Sequence, residues 1–111
     1  MKFKRRVWAL LAAAVLTGPG AATAVQPKPR THTVNIEAMQ FSPATLEVQA
    51  GDTVTWKNKD PFPHNAVADN KGFRSADIPA GGSWTFKARK KGEFAYSCTL
   101  HPNMKARLAV K

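Results

Sequence analysis

Thr45-Leu46-Glu47-Val48-Gln49-Ala50-Gly51-Asp52-Thr53-Val54-Thr55-Trp56-Lys57 is the stretch that decides the fold. Apolar and polar side chains alternate on both sides of Ala50-Gly51-Asp52. A period of two marks a strand with one face buried, whereas an amphipathic helix needs a period near 3.6. The central tripeptide is a turn between two strands. The same alternation recurs in Thr33-Val34-Asn35-Ile36-Glu37, in Ser83-Trp84-Thr85-Phe86-Lys87 and in Glu93-Phe94-Ala95-Tyr96-Ser97-Cys98. Ala106, Leu108 and Val110 place a last strand at the C-terminal end, and Val67 marks a short one after His64. Proline and glycine punctuate the intervals at Ser42-Pro43, Pro61-Phe62-Pro63 and Pro79-Ala80-Gly81-Gly82. No stretch after residue 24 has helical periodicity. Seven to eight short strands predict an all-β chain folded as an antiparallel β-sandwich. Its core is expected from Val34, Ile36, Leu46, Val48, Val54, Trp56, Trp84, Phe86, Phe94, Tyr96, Leu108 and Val110.

The chain has 111 residues, which allows one domain. Residues 1–24 read as a secretory signal: Lys2, Lys4, Arg5 and Arg6 precede the apolar run Val7–Leu16, and Ala22-Thr23-Ala24 fits a cleavage site. The alternative is a retained anchor, but ten apolar residues reach only about 15 Å against a hydrocarbon core of about 30 Å. Residues 25–30 are expected to be a loose lead-in, and residues 31–111 the folded domain. The full chain carries 17 basic and 7 acidic residues. Without residues 1–24 the balance is 13 to 7, still basic. Nucleic-acid binding is not indicated, because no aromatic residues are interleaved with the cations. The single cysteine excludes an intrachain disulfide and any cluster needing several thiolates. A lone thiol in an oxidising compartment is expected to be buried or bound.

Cys98, His101 and Met104 recur at three-residue intervals in Cys98-Thr99-Leu100-His101-Pro102-Asn103-Met104, read as a tight loop. His64 stands 34 residues before Cys98. A sandwich can bring the two loops to one end. One thiolate, two imidazoles and a weak axial thioether form the donor set of an electron-transfer blue copper centre. Zinc gains little from a thioether. Calcium and magnesium need several oxygen ligands, and Asp60 is the only carboxylate in either loop. His32 has no partner motif and reads as an exposed histidine. Met39 reads as core or edge packing.

With these residues in place, residues 31–111 resemble the cupredoxins. The ligand loop is most similar to that of the amicyanins, with pseudoazurins and plastocyanins further off; Ala50–Trp56 and Pro63-His64-Asn65 also fit. The resemblance implies a Greek-key sandwich with one type 1 copper. His64, Cys98 and His101 would be its equatorial ligands and Met104 the axial one. It implies a soluble periplasmic electron carrier, with no substrate turned over. It also implies that the Asn65 backbone N–H donates to the Cys98 sulfur and that its side chain ties the two loops, with Thr99 as partner. Asn103 and Leu100 depart from the amicyanin loop, which has a large apolar residue and a proline there. The segment Asp69–Pro79 matches poorly.

The expected partners are redox proteins, such as a c-type cytochrome or a periplasmic dehydrogenase or reductase, met by a monomer. Electrons are expected to pass at His101, within a patch formed by Pro61, Phe62, Pro63, Leu100, Pro102 and Asn103. Lys57, Lys59 and Lys105 would lie near the metal. The run Lys87, Arg89, Lys90 and Lys91 would lie at the far end, about 17–20 Å away along the strand. The alternative function is copper delivery. Two methionines and three histidines after residue 24 are few for exchangeable copper sites, and too few for a multicopper oxidase.

Overall fold

The computed structural model describes residues 28–111. The expected signal, and the lead-in as far as residue 27, lie outside these residues. Eight strands form: β1 (Thr31–Glu37), β2 (Gln40–Ser42), β3 (Thr45–Val48), β4 (Thr53–Asn58), β5 (Val67–Ala68), β6 (Ser83–Lys87), β7 (Gly92–Cys98) and β8 (His101–Val110). They make two four-stranded sheets, ordered β2-β1-β4-β6 and β3-β8-β7-β5. The sandwich expected from the alternation is therefore present, but it is not antiparallel throughout. β1 pairs with β4 in parallel, and β3 with β8 in parallel. Alternation reports which face of a strand is buried and says nothing about the direction of its neighbour. The parallel pairs arise because β3 crosses to the second sheet, so that β4 re-enters the first beside β1.

The strands fix two poles. β1, β4 and β7 run toward one pole, ending at Glu37, Asn58 and Cys98, while β6 and β8 start there. At the other pole Gly51, at φ +101°, turns the chain between β3 and β4 in a backbone conformation that glycine tolerates best. Its N–H donates to Ala88 O at 2.7 Å. The Asp52 carboxylate closes this pole by accepting Arg30 N (2.9 Å), Gln49 N (3.0 Å) and His32 Nε2–H (2.9 Å). His32 is thus half-buried and paired rather than simply exposed.

Nine of the twelve expected core residues are buried. Leu46, Trp84 and Phe86 only pack against the core from its margin. Phe41, Phe73 and Ile78 join it unexpectedly. Phe73 comes from the poorly matching segment, yet its ring lies 5.0–6.1 Å from those of Trp56, Trp84, Phe86, Phe94 and Tyr96. The local pattern hid it because a single aromatic among Gly72, Arg74 and Ser75 shows no period. Burial pushes the Tyr96 phenol up to about 12, so it stays neutral and accepts Trp56 Nε1–H at 3.3 Å. Met39 is not core. It sits 38% exposed in the β1–β2 turn, where Ala38 and Met39 both have positive φ.

Candidate metal centre

Three loops build the site at the pole where β4 and β7 end. The loop after β4 is held by Asn58, a fully buried amide. Its Nδ2 donates to Phe62 O (2.8 Å) and Ile78 O (2.9 Å), and its Oδ1 accepts Asp60 N (2.9 Å). His64 is then pinned by paired backbone bonds with Ile78, at 3.1 and 2.7 Å. The segment 69–79 therefore supplies the rail on which His64 sits.

The second loop is tighter than expected. Only Thr99 and Leu100 form the turn, and β8 already begins at His101. Cys98 pairs with His101 and Ser97 with Lys105, so one step on β7 faces four on β8. The extra residues Pro102, Asn103 and Met104 bulge, which breaks strand parity and lets His101 and Met104 serve one end of the sheet despite their odd spacing.

His64 Nδ1 and His101 Nδ1 each lie 3.7 Å from Cys98 Sγ. The three donor atoms all fall within 4.8 Å of one another. His64 and Cys98 are completely buried and His101 is half-buried. Met104 is buried, 3% exposed, in the adjoining core. The spacing of Cys98 and His101 and the remote His64 thus lead to one cluster, as the sequence predicted. One thiol and two imidazoles with facing Nδ1 atoms fit a single type 1 copper and lack the oxygen donors a hard cation needs.

The thiol's surroundings match expectation. Asn65 N donates to Cys98 Sγ at 3.4 Å. Asn65 Nδ2 donates to Thr99 Oγ1 (2.7 Å), and Thr99 N donates to Asn65 Oδ1 (2.8 Å). These bonds lock the two ligand loops together.

Sequence reasoning missed Asp60. Its Oδ2 accepts His64 Nε2–H at 2.8 Å, which leaves Nδ1 as the unprotonated nitrogen facing the sulfur. The same carboxylate accepts Ala38 N (2.8 Å) and Met39 N (3.0 Å) from the strained turn. Burial pushes the Asp60 carboxyl up. The bonds from Met39 N, His64 and Ala38 N outweigh it and hold the group below its ordinary range. A carboxylate four residues before a candidate ligand histidine was the available signal.

Residues 6–110 match the family described as Cupredoxin-like domain. The chain is 30% identical over 109 residues to amicyanin-alpha of Methylorubrum extorquens, an alignment that covers 93% of this chain and 92% of that protein. A Cu(I) structure of a methionine-to-alanine variant of amicyanin superposes with a TM-score of 0.68 at 29% identity, covering 73% of this chain and 82% of the other. A Cu-containing nitrite reductase from Thermus scotoductus SA-01 gives a TM-score of 0.69 at 32% identity. The match covers 82% of this chain but 24% of the reductase. The fold and the His–Cys–His cluster define a cupredoxin. The chain belongs to the cupredoxin-like domain family, and its similarity to amicyanin extends over most of both chains.

Proposed function

We propose that this protein is a blue copper electron carrier in which His64, Cys98 and His101, with Met104 as a fourth donor, would hold one copper. The observation that carries the reading is the buried convergence of two Nδ1 atoms on one thiol at 3.7 Å. Bound there, copper supplies a one-electron couple, Cu(I)/Cu(II). The protein's part is to keep the donors in place in both states. Asn58 and Ile78 hold His64, and the Asn65–Thr99 pair holds Cys98 against it. Asn65 N–H stabilises negative charge on the sulfur.

His101 is the half-exposed donor, with the Phe62 ring 5.7 Å from its own. Phe62 and Leu100, 38% and 45% exposed, flank it together with exposed Pro61, Pro63, Pro102 and Asn103. A small apolar face of this kind suits brief contact with a redox protein. Lys57, Lys59 and Lys105 stand exposed on this half of the sandwich and steer an acidic partner toward it. Copper delivery is disfavoured because two of the donors, His64 and Cys98, have no solvent access. Residues 1–24 direct export, which places the folded domain 31–111 in the periplasm. Among the described residues no helix is long and apolar enough to cross a membrane.

The deciding experiment is the visible spectrum of the purified protein with Cu(II). An intense red-light absorption, bleached reversibly by a one-electron reductant and lost in Cys98→Ala, is expected. A colourless Cu(II) complex, or colour that survives Cys98→Ala, overturns the reading.

A further inference from the structure

The two poles carry different surfaces. At the pole away from the His–Cys cluster the domain begins with Lys28 and Arg30, and the β6–β7 connection brings Lys87, Arg89, Lys90 and Lys91. Backbone bonds gather these segments: Thr53 N donates to Arg30 O (2.9 Å), Gly51 N to Ala88 O (2.7 Å), and Thr53 pairs with Lys87. All six basic residues are exposed. None takes part in an ion pair with a described carboxylate. Three acidic groups of this half are already engaged. Asp52 is bonded by His32, Glu93 lies 3.5 Å from Arg107, and Glu47 lies 3.9 Å from Lys111.

We infer that this pole is an electrostatic docking surface for anionic phospholipid, holding the domain with its His101 edge turned toward the aqueous phase. Two observations favour lipid over protein. A protein interface needs an apolar, well-packed centre. The exposed large apolar side chains among the described residues, Met39, Phe62 and Leu100, all belong to the metal pole. The basic pole offers charge alone, which suffices for adsorption to an anionic membrane surface. The described chain begins at this pole, with Lys28. The attraction is short-ranged, fading over about 10 Å at 0.1 M salt. The site's edge, at the opposite end of β7, stays free for partner contact.

The test is vesicle cosedimentation of the purified copper-loaded protein without residues 1–24. The vesicles are phosphatidylcholine alone, or phosphatidylcholine with phosphatidylglycerol, at low and high ionic strength. Binding is expected only to the anionic vesicles and only at low salt. Lys90→Glu with Lys91→Glu should weaken it at least about tenfold, since each cation near the surface contributes severalfold. Lys59→Glu with Lys105→Glu carries the same net charge change and should alter it less than about twofold. An unchanged visible spectrum in both variants shows that they are folded. Absence of binding, equal binding to neutral vesicles, or equal loss in both variants overturns the inference. So does wild-type vesicle binding by the Lys90/Lys91 variant combined with slowed reaction with a redox protein, which would give the pole to a protein partner.

Discussion

Asp60 Oδ2 accepts the Nε2–H of His64 at 2.8 Å while Asp60 also caps the Ala38–Met39 turn. One carboxylate thereby couples the β1–β2 hairpin to the imidazole that faces Cys98. The bond sets which imidazole nitrogen is free for a metal, and the turn bonds set where the carboxylate stands.

Asp60→Asn removes the charge and allows the amide to present the wrong group to Nε2. Copper affinity is expected to fall about 10–100-fold, the range for losing a partner behind a metal ligand. Competition against a Cu(I) chelator measures it. Asp60→Ala also leaves the Ala38 and Met39 amides unpaired, which costs about 1–3 kcal/mol further for each one that water cannot reach. Denaturant unfolding of the metal-free protein separates the two effects. Unchanged affinity in Asp60→Asn would show that Asp60 serves the turn alone.

Asn65→Ala breaks both bonds to Thr99 but leaves Asn65 N–H near the sulfur. The metal-free domain should lose about 1–3 kcal/mol, equivalent to a Tm drop of several degrees for a domain of this size. The copper form should show a shifted red-light band as the two loops loosen. A Tm within a degree of wild type would mean that solvent replaces the pair without loss.

Phe73→Ala should cost about 3–5 kcal/mol, as for other buried aromatics, because five rings lose their common neighbour. Phe73→Leu should cost less, since it refills part of the space. Calorimetry of the metal-free protein checks both. A small effect in Phe73→Ala would place the segment 69–79 outside the cooperative core.

Stability should depend on acid through Asp52. Backbone bonds from Arg30 and Gln49, then the His32 bond, lower its carboxyl from 3.8 to about 2. The carboxyl binds its proton more weakly in the folded chain than in the unfolded one. Its stabilisation is complete above about pH 4 and disappears as pH falls through about 2. Asp52→Asn should lower stability at neutral pH and flatten the decline between these values. Urea midpoints measured across the window test this. A decline of wild-type steepness in Asp52→Asn would assign the acid response to other carboxylates.

Much of this molecule is legible in the linear chain. Period-two alternation in Thr45–Val48 and Thr53–Lys57 yields strands, and the three-residue spacing of Cys98, His101 and Met104 yields a donor set with a chemistry. Asn65 beside His64, and Thr99 beside Cys98, are found where the family resemblance puts them. Such features are local: they depend on which face a side chain occupies and on which atoms it carries. Strand direction, the burial of Phe73, the rail formed by Ile78, the Asp60–His64 bond and the His32–Asp52 pair were settled only by the tertiary fold. Each joins groups whose pairing has no periodic or compositional signature. Asp60 and the Ala38–Met39 turn lie about twenty residues apart, and what brings them together is the parallel alignment of β1 with β4, a relationship between strands that no single strand encodes.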